Sequence, residues 1–178
     1  MNNAPLEAQR SHLSNLLEAI QRNVYFLDAS ERKLSWPLEA EEVRSRKRDV
    51  ALFESLAAIN ERFAKLQDTL GSAMRHAAIL AGEPTESFLK VLSFYEKIGV
   101  IDSVSTWQLY RATRNLAAHD YETDYAEIAA HFNALHGLLR SLYSDASRFI
   151  RFSEEELHIE PASADFRDDF RMITEKHA

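Results

Sequence analysis

The amino-acid sequence predicts an all-α protein, an up-and-down bundle of four to five helices. Its 178 residues include only 4 glycines and 4 prolines, so turns are few and the segments between them are long. The apolar residues recur every three or four positions, which is the spacing of one face of an α-helix. Together these observations favour long helices over a strand-rich fold.

Two long helices are predicted in the first half, with an irregular segment between them. Apolar residues at helical spacing over 13–27 predict a first helix that ends near residue 29. Residues 30–47 break that pattern and contain Trp36-Pro37, which indicates a connector or an insert. The strongest periodicity follows over 52–80, where apolar residues step by alternating fours and threes. That spacing predicts one long helix with a single apolar seam.

Three further helices are predicted in the second half. The third, over 84–99, opens on Pro84 and ends at a glycine, as helices favour at these two positions. The fourth, over 105–118, opens at Ser105 with a glutamine three positions later, the spacing of a capping box. The fifth, over 123–149, begins with acidic residues that suit the positive end of the helix dipole.

The helices are expected to form one domain. Residues 1–150 make the helical bundle, and residues 151–178 are a polar, acidic tail with at most a short helix around 164–175. A hydrophobic fraction of 46% suffices for a genuine core, and no apolar run reaches the length of a membrane span. The N-terminus lacks the pattern of a secretory signal, so a cytoplasmic protein is expected.

Composition excludes several kinds of chemistry. The chain has no cysteine, which excludes disulfides, thiolate catalysis and cysteine-ligated metals. Its formal net charge of −7 argues against a protein that coats nucleic acid through a broad basic surface. Any phosphate must therefore be bound by a local group of cations.

A candidate site lies at the end of the fourth helix, in the stretch RNLAAHDY over residues 114–121. Residues four apart share a helix face, so Arg111, Asn115 and His119 form one stripe if the helix reaches the histidine. Trp107, Arg114 and Ala118 form the adjacent stripe. The side that faces the core is predicted to consist of Leu109, Ala112, Thr113 and Leu116.

Arg114 and His119 suit chemistry on a phosphodiester. Histidine has an ordinary pKa of about 6.5 and can transfer a proton near neutral pH, whereas arginine grips phosphate with a permanently charged fork. In RNA, such a base would take the 2′-hydroxyl proton while the arginine stabilises the phosphate charge that develops. Five positions separate the two residues, about 140° around a helix, so they meet best if the helix ends at the histidine or if two copies meet.

A purely structural interpretation of the same residues stands beside this one. An arginine near a helix C-terminus stabilises the helix dipole, and His119 can simply cap the helix. Trp107 and Tyr110 could stack a base, although aromatic residues at helical spacing are more often core or interface. The basic run over 44–48 follows several glutamates and is better explained as a solvated helix start. A metal site at His131 and His136 is not expected, because their spacing of five does not align two ligands.

The motif has further features around it. Trp107 lies seven residues before Arg114, and the segment Gly99-Val100-Ile101 lies upstream. The motif itself reads Arg114, Asn115, a three-residue spacer, His119, one residue and Tyr121. This pattern resembles the HEPN family, specifically the HepT-like toxins of HEPN/MNT toxin–antitoxin pairs. The resemblance covers about residues 94–128, and the helix order is compatible over 10–150.

The resemblance implies a HEPN-like bundle that forms a symmetric homodimer. It further implies a metal-independent endoribonuclease whose composite cleft holds catalytic Arg114 and His119 from both subunits, with Asn115 and Arg111 binding substrate. No metal and no cofactor are expected. The family's partner is a small MNT-type nucleotidyltransferase antitoxin that can transfer AMP to the motif tyrosine, here Tyr121. The added charge and bulk would close the site to RNA.

Three function classes follow. The first is an endoribonuclease toxin, which the joint presence of Arg114, His119 and Tyr121 favours. A non-enzymatic helical adaptor, binding nucleotide or substrate for a nucleotidyltransferase, agrees better with the acidic balance of the chain. A plain dimeric scaffold requires none of these side chains.

Overall fold

A computed structural model describes residues 4–115 and 124–177, and this part of the chain contains seven α-helices and no strand. The prediction of an all-α helical bundle is therefore confirmed. The helices are α1 Ala4–Glu31, α2 Ala40–Ser45, α3 Val50–Leu80, α4 Phe88–Lys97, α5 Val104–Asn115, α6 Tyr125–Glu156 and α7 Arg167–Lys176. Five of them correspond to the predicted helices, while α2 lies in the predicted connector and α7 in the predicted tail.

The three long helices α1, α3 and α6 build the centre of the core. Their inward faces carry large apolar side chains that are wholly removed from solvent, among them Leu17, Ile20, Phe63, Leu66, Leu135 and Leu142. The apolar seam predicted over 52–80 lies on the buried side of α3, with only its last residue, Leu80, partly buried. None of the helices in the two described ranges is long and apolar enough to cross a membrane.

The connector over 30–47 packs against α6. Asn133 of α6 holds the connector backbone with both ends of its amide, accepting from the Leu38 N–H at 2.7 Å and donating to the Leu38 carbonyl at 2.9 Å. Trp36, which precedes a cis proline bond, stacks on His136 of α6 with 4.4 Å between ring centroids. Val43 of α2 is buried. The segment therefore belongs to the packed bundle.

Residues after 150 also pack on the bundle. Helix α6 continues to Glu156, and the following turn is tied to α1 because Ser14 donates to the Glu160 carbonyl at 2.7 Å. The side chains of Phe170 and Ile173 on α7 are buried. The short helix expected around 164–175 is present and closes over α1 and α6.

Several predicted helix starts are displaced by a few residues. Helix α4 begins at Phe88, not Pro84, with Ser87 as its N-cap. Helix α5 begins at Val104, where the Ser103 hydroxyl accepts from the Thr106 N–H at 2.9 Å, so the predicted cap at Ser105 is wrong. Each true cap is a nearby serine, and serine spacing alone does not distinguish neighbouring candidates.

The buried face of α5 also differs from the prediction. Leu109 is 51% exposed and Ala112 is exposed, so their assignment to the core is wrong, whereas Thr113 is buried as predicted. Trp107 and Tyr110 face the core instead. These rings bury more apolar surface than leucine and alanine would, so they determine the rotation of α5. Leu116 and Ala118 lie outside the described residues.

Candidate functional site

A cleft of about 280 Å³ opens where α5 packs against α3 and the start of α4. It lies on the side of α5 that carries the predicted site. The residues that line it are Gln67, Asp68, Gly71, Ser72, Arg75, Phe88, Trp107, Arg111 and Arg114. Three of the nine are arginines and one is an aspartate. This local excess of positive charge on a chain of net charge −7 suits an anionic ligand.

Arg114 bridges α5 to α3 through one nitrogen. Its Nη1 donates to the Ala64 carbonyl at 3.0 Å and to Asp68 Oδ1 at 2.7 Å. The Arg114 side chain is only 16% exposed, whereas that of Asp68 is 65% exposed. The Nε and Nη2 atoms have no hydrogen-bond partner among the described residues. The guanidinium is thus held in place at the cleft and keeps donors for a further acceptor.

Arg111 and Arg75 supply the other two positive charges. Arg111 is exposed on α5, one turn before Arg114, and forms no ion pair with the described part of the chain. Arg75 on α3 donates to the Thr85 carbonyl at 3.2 Å. Because arginine holds phosphate through bidentate hydrogen bonds, these two side chains and Arg114 could clasp one phosphate between α3 and α5.

The structure brings together only some of the predicted site residues. Arg111 and Arg114 both line the cleft. Asn115 is exposed at the last position of α5 and is not among the lining residues. His119 and Tyr121 lie in residues 116–123, outside the described residues, so their predicted roles stay predictions.

Gln67 is a cleft residue that the sequence did not reveal. Its side chain is 3% exposed, and its Nε2 donates to the Trp107 carbonyl at 3.1 Å. That bond fixes the orientation of the amide, so Oε1 is the free end, and it has no hydrogen-bond partner among the described residues. Gln67, Gly71 and Arg75 follow one another at four-residue spacing on α3 and form a stripe beside its apolar seam. This spacing was the signal that the sequence offered.

Gly71 permits the close contact of the three helices at the cleft. A Cβ atom at this position would lie 3.2 Å from Phe88 Cζ and 3.3 Å from Trp107 Cζ2. The two rings meet edge to face, with 6.0 Å between their centroids. Any larger residue at position 71 would push the aromatic wall outward and change the shape of the cleft.

A buried polar network fixes the other side of α5. The Tyr110 hydroxyl donates to Asp145 Oδ2 at 3.0 Å, and Asp145 Oδ1 accepts from the Asp102 N–H at 3.2 Å and from Arg148 Nη2 at 2.5 Å. Burial, followed by the nearby charge of Asp102, raises the pKa of Asp145 to about 7. Burial also raises the pKa of Tyr110. The tyrosine thereby anchors α5 to α6 and sets the direction in which Arg111 and Arg114 point.

Trp107 and Tyr110 are core residues. Trp107 is 5% exposed and Tyr110 is fully buried, so neither presents an open ring face for base stacking. Phe88, at the start of α4, is half-buried and borders the same cleft. It is therefore the aromatic side chain that a ligand in the cleft would meet.

The remaining candidates from the sequence have local partners. Arg46 pairs with Asp49 at 2.6 Å and Arg44 with Glu41 at 3.4 Å, so these two arginines have acidic partners close by in the sequence. His131 is buried with a ring nitrogen 3.1 Å from Asn60 Oδ1. Within residues 4–115 and 124–177, no group of three histidine, aspartate or glutamate side chains is arranged to hold a metal ion.

Comparison of the chain with protein-family models, with curated proteins and with solved structures finds no match.

Proposed function

We propose that the protein is a metal-independent endoribonuclease toxin that acts as a symmetric homodimer. The observation that carries the proposal is the clustering of Arg75, Arg111 and Arg114 around one cleft at the end of α5. In the sequence, His119 follows Arg114 of this cleft by five residues. Cations for a phosphate and a proton-transfer group next to them are what RNA cleavage without a metal requires.

The cleavage uses the RNA's own 2′-hydroxyl as nucleophile. His119 of one subunit takes the 2′-hydroxyl proton as this oxygen attacks the adjacent phosphorus. The bond to the 5′-oxygen breaks, and the same histidine, now protonated, gives its proton to that oxygen. The products are a 2′,3′-cyclic phosphate and a 5′-hydroxyl. Arg114 and Arg111 stabilise the charge on the phosphate oxygens, and Asn115 positions the strand beside them.

Control of this activity falls to Tyr121. A small MNT-type nucleotidyltransferase, acting as antitoxin, would transfer AMP from ATP to the phenol oxygen and release pyrophosphate. The new phosphodiester places negative charge two residues from His119, where the RNA phosphate has to bind. A mass increase of one or more AMP units after co-expression with such an enzyme is the matching observation.

The first prediction is cleavage of single-stranded RNA in the presence of EDTA. Replacing His119 by alanine removes the proton-transfer group and should lower the rate by about two orders of magnitude or more. Replacing Arg111 or Arg114 by alanine should lower the cleavage rate by a similar amount, because the charge that develops on the phosphate is then less stabilised. Product ends are identified by mass spectrometry as cyclic phosphates.

His12→Ala is the matched control, because His12 is an exposed histidine on α1 and lines no part of the cleft. It should cleave at the wild-type rate. Full activity in His119→Ala, or activity that disappears with EDTA and returns with a divalent ion, contradicts the proposal.

A second candidate is a non-enzymatic adaptor for a nucleotidyltransferase. The observation that favours it is that Arg114 donates hydrogen bonds to Asp68 and to the Ala64 carbonyl. These two bonds attach the end of α5 to α3, which is a purely structural role for the arginine. The adaptor predicts a stable complex with the transferase and no RNA cleavage at any protein concentration. Cleavage by the isolated wild-type protein excludes it as the whole function.

A further inference from the structure

The inner wall of the cleft carries one unusual polar group, the amide of Gln67. Its side chain is 97% buried, since only 3% of it is exposed, and its Nε2 donates to the Trp107 carbonyl at 3.1 Å. Its Oε1 has no hydrogen-bond partner in the described residues. An unpaired buried acceptor is unfavourable, and it is stabilised when a ligand donates to it. Because Nε2 is already engaged, Gln67 can only accept from such a ligand.

The groups around Gln67 match the parts of one nucleotide. The half-buried ring of Phe88 offers an apolar surface, and Gly71 lets this ring lie close to α3, beside Gln67. Arg75 and Arg111 line the same cleft and suit a phosphate. At about 280 Å³ the cleft is at the small end of ligand sites, which favours a single nucleotide over a longer stretch of chain.

We propose that this cleft is a base-reading subsite, in which Gln67 Oε1 accepts a hydrogen bond from the exocyclic amino group of an RNA base. The inference rests on the proposed function, since it assigns a base preference to the same nuclease site. The base lies against Phe88 while its phosphate is held by Arg75 and Arg111. The reading is direct, because the orientation of the amide is set by the protein before the ligand arrives.

The chemistry of Gln67 distinguishes between the bases. Adenine and cytosine each present an amino group that donates to an acceptor at the edge of the ring. Uracil has no amino group, because a carbonyl oxygen, O4, stands where cytosine carries its amino group, and its single N3–H lies between the O2 and O4 oxygens. Bringing those oxygens near Oε1 and the Asp68 carboxylate is electrostatically unfavourable. The subsite therefore prefers adenine and cytosine to uracil.

The test is calorimetric titration of the wild-type protein with AMP, CMP and UMP. One neutral hydrogen bond corresponds to about three- to tenfold in affinity, so AMP and CMP should bind about three- to tenfold more tightly than UMP. Gln67→Met, which keeps the side-chain length and removes the acceptor, should bind the three nucleotides with equal affinity. Gly71→Ala, which keeps the acceptor and narrows the cleft, should weaken all three together.

Gln21→Met is the matched control. Gln21 is also a buried glutamine, 2% exposed with an unpartnered Oε1, but it lies on α1 away from this cleft. It should retain the wild-type selectivity. If Gln67→Met does not fold, which its circular dichroism reveals, the selectivity of the wild type and the effect of Gly71→Ala decide the question.

Equal binding of AMP, CMP and UMP to the wild type, or no binding of any of them at millimolar concentration, overturns the subsite. This result is independent of RNA cleavage. Cleavage without nucleotide selectivity rejects the subsite and keeps the nuclease. Selectivity without cleavage keeps the subsite and rejects the nuclease, which leaves a nucleotide-binding protein.

Discussion

Arg114 shows how a single residue can serve structure and chemistry at the same time. Both of its hydrogen bonds leave from Nη1, one to the Ala64 carbonyl and one to Asp68. The pair with Asp68 contributes little to stability, because that carboxylate is 65% exposed and screened by water. Its main effect is to orient the guanidinium. A phosphate that enters the cleft meets an arginine whose position is already set, which lowers the entropy lost on binding.

Asp145 makes the stability of the protein depend on pH. Its pKa is about 7 in the folded protein and 3.8 in the reference state for the unfolded chain. Because the folded state holds this proton more tightly, the contribution of Asp145 to stability is full below about pH 4 and is lost as pH rises through 7. Relative to Asp145→Asn, the wild type should therefore lose about 2–3 kcal/mol of unfolding free energy between about pH 5 and pH 8.

The measurement is urea unfolding of both proteins across this pH range. Asp165→Asn, a substitution at an exposed aspartate in the turn before α7, is the control for removal of a surface carboxylate. A difference between wild type and Asp145→Asn that is constant with pH, or that grows in favour of the wild type as pH rises, contradicts the assignment. The latter result would mean that Arg148 holds the carboxylate ionised.

At the scale of elements, α5 shows what a periodic pattern can and cannot determine. The sequence predicted the helix and placed Arg111 and Arg114 away from the core, and both do line an open cleft. It also assigned Leu109 to the core, where the structure buries Tyr110 instead. The reason is the partner of the tyrosine: only the fold brings Asp145 of α6 to its hydroxyl. Tyr110 and Asp145 are 35 positions apart in the sequence, so the hydrogen bond between them cannot be predicted from the periodicity of one helix.

Two glycines within helices, Gly71 and Gly137, allow the energetic effect of side-chain packing to be compared with that of helix propensity. Alanine at position 71 would force its Cβ to 3.2 Å from Phe88 and 3.3 Å from Trp107, whereas a Cβ at Gly137 of α6 meets nothing within 4 Å. Alanine is the better helix former by about 0.5–1 kcal/mol, so Gly137→Ala should stabilise the protein by about that amount. Gly71→Ala should destabilise it by about 1–2 kcal/mol, because overpacking outweighs propensity.

Thermal and urea unfolding of the two variants give the answer. The two substitutions are chemically identical, so the opposite signs isolate the contact at the cleft from the helix preference. If Gly71→Ala and Gly137→Ala stabilise the protein by similar amounts, Phe88 moves away from position 71 without a cost in free energy. The close approach of α3, α4 and α5 would then contribute nothing to stability.

For the whole molecule, the sequence predicted the helical class and the long helices but not how distant segments meet. The seam of α3 was visible because its apolar residues repeat along most of this 31-residue helix. The connector was not recognised as packed, since its attachment depends on Asn133, almost 100 positions further along. The same reason explains why only part of the cleft lining could be predicted. Arg111 and Arg114 are close together in the sequence, whereas Gln67 and Arg75 line the cleft only because α3 packs against α5.

The last prediction concerns the assembly. If each nuclease site takes Arg114 and His119 from both subunits, a mixed dimer of Arg114→Ala with His119→Ala subunits still holds one arginine and one histidine, contributed by different chains. Each variant alone should be inactive, and unfolding and refolding them together should restore a substantial fraction of the wild-type rate, since one residue of each kind remains in the cleft. A site built within one chain predicts the opposite, because no subunit in the mixture carries both residues.

Refolding Arg114→Ala with an Arg114→Ala, His119→Ala double variant is the control, and it should stay inactive under either arrangement. Activity that does not return in the mixed sample, despite a dimer mass in sedimentation, would place the whole reaction inside one subunit.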